Sequence, residues 1–236
     1  MKYMTVFIIP FAGGSSFSFK QWIGKSDFFN FVPLDLPGKG RRNKEPLAAS
    51  MSEIINDIIR QINDYLNQNN IETYAIWGHS MGGRIAYEVA LCIIQKNLKK
   101  LEFIVLSGTP APTYDNRAML SEIISDEKLF IDYLDSFGMI NAKYIIRPEF
   151  KRIFTAVLND YKILSEYKAS RGIIRGVKGV IVYGESDDSF EMDWMEWKKY
   201  FSINPLFLRY PGKHFFIFEA FPEIVEDIKY MLKQKE

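Results

Sequence analysis

The sequence has few of the residues that build disulfides and metal centres. It holds one cysteine, Cys92, and two histidines, His79 and His214, in 236 residues. One cysteine cannot form an internal disulfide, and a transition-metal site needs several cysteine, histidine or carboxylate ligands brought together. We therefore predict a cytoplasmic protein, kept in a reducing compartment, with no metal site.

Net charge and long apolar runs are also scarce. Thirty basic residues face 29 acidic ones, and the resulting charge of +1 argues against a partner as anionic as nucleic acid. The apolar run at the start of the chain is cut short by Pro10, and no stretch approaches the roughly 20 apolar residues of a membrane span. We predict neither a nucleic-acid partner nor a membrane partner.

Short apolar runs alternate with helical patterns through most of the chain. The predicted strands lie at 5–9, early in 31–42, at 73–77, at 101–108, in 179–188 and early in 204–235. Residues 51–66 carry isoleucines at spacings of three and four, with Ser50 or Ser52 available as a cap, and a second helix spans 84–94. This alternation predicts an α/β fold, with a mostly parallel sheet and helices on both faces.

Residues from about 111 to 170 interrupt this alternation. No run there is typical of a strand, and apolar residues recur at helical spacings. Because the segment lies between two strands, we interpret it as an inserted helical lid over the carboxyl ends of the strands. One core suits a chain of this length, so we predict a single domain, 1–236, that includes this lid.

The pattern GHSMGG at 78–83 is the strongest chemical signal in the chain. It follows an apolar strand and precedes a helix, which is the setting of a nucleophile elbow. Gly78 and Gly82 allow backbone segments to pass closely at so sharp a turn, while the hydroxyl of Ser80 projects outward. We predict Ser80 as a nucleophile.

A serine hydroxyl needs a base within hydrogen-bond reach. His79 adjoins Ser80 in sequence, so its side chain should point away from the hydroxyl and serve in packing. His214 follows the last predicted strand, in GKHFF, where an α/β hydrolase places its base. We predict that His214 activates Ser80.

The third member of a serine triad orients the imidazole and stabilises its protonated form. Asp187 and Asp188 lie between Ser80 and His214, just after a strand, in the serine, acid, histidine order of α/β hydrolases. We predict Asp187, with Asp188 as the alternative and Asp115, after the preceding strand, as a further rival.

Two loops near these residues carry further candidate groups. The turn FAGG at 11–14 can aim the backbone N–H of Ala12 at a developing oxyanion, with the N–H of Met81 as the second donor. The run KGRR at 39–42 is interpreted as a solvated loop, with an anion site as its alternative.

Several segments, in this order, resemble the free-standing (type II) thioesterases that accompany nonribosomal peptide and polyketide synthases. The segments are PFAGGS at 10–15, LPGKGRR at 36–42, GHSMGG at 78–83, LSGTPAP at 106–112, the lid stretch 144–167 and GKHFFI at 212–217. The resemblance covers most of the chain and implies an α/β-hydrolase fold.

The resemblance also implies a substrate and a mechanism. The substrate is an acyl, aminoacyl or peptidyl thioester on the phosphopantetheine arm of a carrier protein, so the enzyme needs no cofactor of its own and is expected to be a monomer. Ser80 would attack the thioester carbonyl, and water activated by His214 would release the acid.

Two other functions stay open at this point. A serine triad does not itself distinguish oxygen from sulfur leaving groups, so a carboxylesterase or lipase-like hydrolase of small esters is the alternative. A binding protein without catalysis is a third hypothesis, against which the three candidate triad residues argue.

Overall fold

The strands form one sheet in which every neighbouring pair is parallel. The computed structural model describes residues 4–96, 98, 100–137, 150–187 and 193–233. The strands are β1 (Met4–Ile9), β2 (Phe29–Pro33), β3 (Thr73–His79), β4 (Lys100–Ser107), β5 (Lys178–Gly184) and β6 (Leu206–Tyr210). Their order is β2-β1-β3-β4-β5-β6. The predicted α/β fold with a mostly parallel sheet is confirmed.

The helices follow the strands and their ends are set by local chemistry. They are α1 (Met51–Gln68), α2 (Met81–Gln95), α3 (Arg117–Ser125), α4 (Glu127–Ser136), α5 (Lys151–Glu166) and α6 (Phe221–Lys233). At the start of α1 the Ser50 hydroxyl accepts a hydrogen bond from the Glu53 N–H at 3.2 Å, and the Glu53 carboxylate accepts one from the Ala49 N–H at 2.7 Å. Ser50 is therefore the cap, rather than Ser52.

Side chains on the two faces of the sheet enter two separate cores. In β1, Phe7 and Ile9 pack in the core that α1 and α2 cover, whereas Val6 and Ile8 pack in the core that α6 covers. This alternation follows from the pleat of a strand, in which successive side chains point to opposite faces. Helices on both faces are confirmed.

The order of the strands places two loops side by side. From β1 the chain moves to β2 on one side, and β3 then pairs with β1 on the other, which makes a topological switch point at the carboxyl ends of β1 and β3. Ile9, the last residue of β1, is paired with Gly78 near the end of β3. The turn after β1 and the turn after β3 therefore emerge together.

The segment 111–170 contains α3, α4 and α5, and no strand lies in its described part. Residues 138–149 of the predicted insertion are outside the described residues. The ring of Phe130 in α4 packs edge-on against Phe154 and Tyr161 in α5, with centroids 5.7 and 5.2 Å apart. Among the described helices, none is long and apolar enough to cross a membrane.

Candidate active site

Ser80 occupies a single-residue turn between β3 and α2. Its backbone angles, φ 56° and ψ −118°, lie in a region that a residue with a side chain rarely adopts. The Ser80 N–H donates to the Ser107 carbonyl at 2.8 Å, which ties the turn to the end of β4. The backbone is thus held in a strained shape that presents the hydroxyl.

Two glycines permit this turn. A Cβ atom on Gly78 would lie 2.1 Å from the Gly82 carbonyl oxygen, and a Cβ on Gly82 would lie 2.1 Å from the Ile9 carbonyl oxygen. Both distances are far inside van der Waals contact. The structure therefore shows the close backbone passage for which the GHSMGG pattern calls, and it places β1 against the start of α2.

His214 and Asp187 meet beside this turn. Nδ1 of His214 lies 3.0 Å from Oδ2 and 3.2 Å from Oδ1 of Asp187, and both residues are buried. Asp187 follows β5 and His214 follows β6, so neighbouring strands bring them together. A carboxylate at this position favours the tautomer with the proton on Nδ1, which leaves Nε2 able to accept a proton.

The two rival carboxylates have different outcomes. Asp188 lies outside the described residues. Asp115 lies at the surface, where its carboxylate accepts hydrogen bonds from the Arg117 guanidinium at 2.7 and 2.9 Å. These bonds hold the pKa of Asp115 below its usual value. Asp187 is the carboxylate that the structure brings to His214.

Ser80 and His214 line one small cavity, called here the Ser80 cavity, of about 30 Å³. Its walls are Ala12, Ser80, Met81, Arg84, Asn116, Leu120, Tyr133, Phe137, Tyr161, Leu164 and His214. Side chains from α3, α4 and α5 close it on the side away from the sheet. This volume holds one or two water molecules, so an acyl group requires some of these side chains to move.

Ala12 and Met81 both line the Ser80 cavity. In the turn after β1 the Phe11 carbonyl accepts from the Gly14 N–H at 2.8 Å, so the Ala12 N–H of the same trans peptide points the opposite way. Met81 opens α2, and its N–H therefore has no acceptor within the helix. Both residues named from the sequence thus lie at one cavity, and their role as oxyanion donors stays a prediction.

The family follows from comparison with known proteins. The chain matches the family model of a thioesterase domain over residues 4–232. It belongs to the thioesterase family.

Relatives match this thioesterase over nearly all of its length. The gramicidin S biosynthesis protein GrsT of Aneurinibacillus migulanus is 26% identical over 98% of the chain and 88% of its own. A probable anguibactin biosynthesis thioesterase, AngT of Vibrio anguillarum, is 28% identical over 94% of the chain and 89% of its own. The crystal structure of ClbQ, from the colibactin NRPS/PKS pathway, superposes with a TM-score of 0.84 at 21% identity, over 99% of the chain and 98% of its own. The α/β-hydrolase fold expected from the resemblance is confirmed.

His79 of the thioesterase packs behind the site. It is fully buried, its Nδ1 lies 3.0 Å from the Ser107 hydroxyl, and its ring centroid lies 5.0 Å from that of His214. Burial, together with the nearby His214, lowers the pKa of His79 well below its usual value. The predicted packing role agrees with this position.

Burial of His79 makes the stability of the thioesterase sensitive to acid. Below about pH 6.5 the unfolded chain takes up a proton at His79 that the folded chain does not, so the free energy of unfolding falls as the pH falls. We expect the wild type to lose roughly 1 kcal/mol more than His79→Gln between pH 7.5 and 5.5, as measured by urea denaturation. Parallel pH dependences of the two proteins would show that His79 does not cause the effect.

A buried ion pair, absent from the sequence-based prediction, joins α5 to the loop after β2, and its carboxylate also binds the turn after β1. The Asp160 carboxylate contacts the Lys39 ammonium and accepts the Gly13 N–H at 2.7 Å. The exposed fractions of Asp160 and Lys39 are 1% and 6%. Because Gly13 follows Ala12 directly, Asp160 fixes the peptide next to the candidate oxyanion donor.

Gly13 itself makes room for α5. Its φ is +75°, and a Cβ there would lie 2.4 Å from Cγ2 of Val157, one turn before Asp160 in α5. A side chain at position 13 would therefore push α5 away and separate Asp160 from the Gly13 N–H. Gly13 and the Asp160 carboxylate therefore both maintain the contact between α5 and the turn after β1.

The interpretation of KGRR as a solvated loop is wrong for two of its charges. Lys39 is buried against Asp160, and Arg42 binds Asp57 at 2.5 Å and Glu45 at 2.6 Å. Because carboxylates of the protein bind both cations, neither the solvated loop nor the anion site predicted from the sequence describes Lys39 and Arg42. Its charges hold loops and helices together.

Arg84 is the second side chain that sequence analysis missed. It lines the Ser80 cavity, and its Nη2 donates to Oδ1 of Asn116 at 3.1 Å. The sequence held one signal for each of the two side chains that sequence analysis missed, Arg84 and Asp160. Arg84 lies four residues after Ser80 on one helix, and Asp160 lies among the apolar residues Val157 and Leu164 at helical spacing.

Proposed function

We propose that this chain is a type II thioesterase that releases acyl, aminoacyl or peptidyl groups from carrier proteins of a nonribosomal peptide or polyketide synthase. Thioester hydrolysis follows from the family. The observation that supports the mechanism is that Ser80, on a strained elbow, shares one cavity with His214, which is bonded to Asp187.

In the proposed mechanism each residue has one task. Ser80 attacks the thioester carbonyl while His214 takes its proton, and the N–H groups of Ala12 and Met81 bind the oxyanion. His214 returns the proton to the departing thiol. Water, deprotonated by His214, then attacks the acyl-serine and releases the acid, and Asp187 keeps the imidazole in the required tautomer throughout.

The carrier protein as partner is supported by the relatives. GrsT and AngT are named for the biosynthesis of gramicidin S and anguibactin, and ClbQ for a synthase pathway. In this proposal the phosphopantetheine arm arrives with the carrier, so the enzyme has no cofactor of its own and works as a monomer in the cytoplasm. Membership of the thioesterase family favours a thiol leaving group over the alkoxide of the esterase alternative.

The test compares one acyl group on two leaving groups. Carrier protein loaded with butyryl-phosphopantetheine is incubated with the enzyme and followed by mass spectrometry, beside the p-nitrophenyl ester of butyrate. We expect kcat/KM for the carrier to exceed that for the ester by at least about tenfold. Fluorophosphonate should label Ser80, whereas Ser80→Ala serves as the blank and Ser52→Ala, at an exposed serine, as the matched control.

Two results would contradict the proposal. An intact acyl-carrier alongside rapid ester cleavage would favour a small-ester hydrolase. Equal labelling of the wild type and the Ser80→Ala protein would remove Ser80 as the nucleophile.

A further inference from the structure

Arg84 brings a positive charge into the Ser80 cavity. Its backbone N–H donates to the Ser80 carbonyl at 3.3 Å, so the two residues share the first turn of α2. Ser80 caps that helix, and both residues line the Ser80 cavity. The Arg84 side chain therefore borders the cavity that a carbonyl attacked by Ser80 would enter.

Among the described residues, few groups compensate the charge of Arg84. Asn116 accepts one hydrogen bond, and no carboxylate forms an ion pair with Arg84 in the part of the chain that the structure describes. Asp115 acts on it electrostatically, but the Asp115 carboxylate is bound to Arg117 at the surface. Burial lowers the pKa of Arg84, yet a guanidinium stays protonated in proteins.

The rest of the Ser80 cavity suits a small ligand with a polar end. Leu120 and Leu164 supply apolar walls, whereas Asn116 and Tyr133 supply polar atoms on the wall that Arg84 shares. The cavity of about 30 Å³ has to widen for any acyl group, and a short chain requires the smallest displacement of its walls. A neutral alkyl group would leave the guanidinium partly buried without an anion, which is unfavourable.

We propose that Arg84 selects short acyl groups that end in a carboxylate, and that Asn116 holds its guanidinium in place. A carboxylate can accept two parallel hydrogen bonds from a guanidinium, which fixes both the position and the orientation of the acyl chain. The inference rests on the proposed function, since it takes Ser80 as the nucleophile. It adds the class of acyl group that the site prefers.

The experiment uses carrier-free thioesters, so that acyl selection is measured apart from carrier recognition. Succinyl and butyryl thioesters of N-acetylcysteamine have equal numbers of carbons and differ in the terminal carboxylate. We expect the wild type to have at least a tenfold higher kcat/KM for the succinyl thioester. Arg84→Met should lower the ratio of succinyl to butyryl kcat/KM by 10- to 100-fold, with Arg84→Lys in between.

Controls separate selection from damage to the site. Arg117→Met removes an exposed cation next to Asn116 and should leave both substrates unchanged. Fluorophosphonate labelling of Arg84→Met to the same final extent as the wild type would show that Ser80 stays reactive in the variant.

Other outcomes would overturn the inference without touching the proposed function. A wild type that prefers the butyryl thioester, or an Arg84→Met variant that loses activity equally on both, would show that Arg84 does not select a carboxylate. If the enzyme did not prefer an acyl-carrier over a free ester, that result would count against the carrier as partner. It would not affect the inference on Arg84, which depends on the ratio of succinyl to butyryl turnover.

Discussion

Changing Asp187 to asparagine is expected to lower kcat by about 1,000- to 10,000-fold, with a much smaller change in KM. The Asp187 carboxylate lies 3.0 Å from Nδ1 of His214 and can only accept a hydrogen bond when ionised. The asparagine amide can instead donate to Nδ1, which favours the tautomer whose Nε2 already carries a proton. Such an imidazole cannot take the proton of Ser80.

The measurement is steady-state hydrolysis of a butyryl thioester, followed by thiol release. Glu185→Gln is the matched control, because Glu185 lies two residues earlier in the same loop with a partly exposed side chain. It should leave kcat unchanged. A large loss in Asp188→Asn together with near-normal activity in Asp187→Asn would transfer the role to the neighbouring carboxylate.

Changing Asp160 to asparagine is expected to destabilise the fold by roughly 3 to 5 kcal/mol, because Lys39 would stay buried without its partner. Urea denaturation of the purified protein measures this loss. Asp132→Asn breaks an exposed pair with Lys128 and should cause little change.

A pair of double variants separates the ion pair from the hydrogen bond to Gly13. Lys39→Met with Asp160→Asn removes both charges but keeps an acceptor for the Gly13 N–H, so stability and kcat should both approach the wild type. Lys39→Met with Asp160→Leu also removes the buried charges but leaves that N–H without its acceptor. We expect kcat to fall up to about 100-fold there, since a displaced oxyanion donor stabilises the transition state poorly.

Equal kcat values in the two double variants would show that Asp160 serves stability alone. Unchanged unfolding free energy in the single Asp160→Asn variant would show that Lys39 finds water or another acceptor when its partner is removed.

Local sequence patterns predict the parts of the molecule that depend on neighbours in the chain. Apolar runs predict the strands because a buried parallel strand needs apolar side chains on both faces. The spacing of the glycines around Ser80 predicts the elbow because the backbone itself approaches Ile9 and Gly82 too closely for a Cβ. These local patterns predict the fold correctly, and four of the candidate residues named from them line one cavity: Ala12, Ser80, Met81 and His214.

The remaining features depend on contacts between distant segments. Asp160 and Lys39 are 121 residues apart in the sequence. The local sequence around Lys39 is typical of an exposed loop, and Lys39 is buried only because α5 packs against that loop. The sequence around Arg84 is typical of the polar face of an amphipathic helix. Its place in the Ser80 cavity follows only from the packing of α3 and α4 around that cavity. The helical spacing places Asp160 and Arg84 near apolar residues or near Ser80, but the groups that these charged side chains contact are known only from the packing.

The pairing of Ile9 with Gly78 has a consequence for how this enzyme could diverge. The proposed nucleophile and both proposed oxyanion donors are anchored to two strands that are hydrogen-bonded to each other, whereas Leu120, Tyr133, Tyr161 and Leu164 of the Ser80 cavity wall come from α3, α4 and α5. Natural variation or laboratory exchange of those helices can therefore alter acyl preference while the chemistry is retained. A chimaera in which α3, α4 and α5 come from another protein needs to keep a carboxylate at position 160, so that it still accepts the hydrogen bond from the Gly13 N–H.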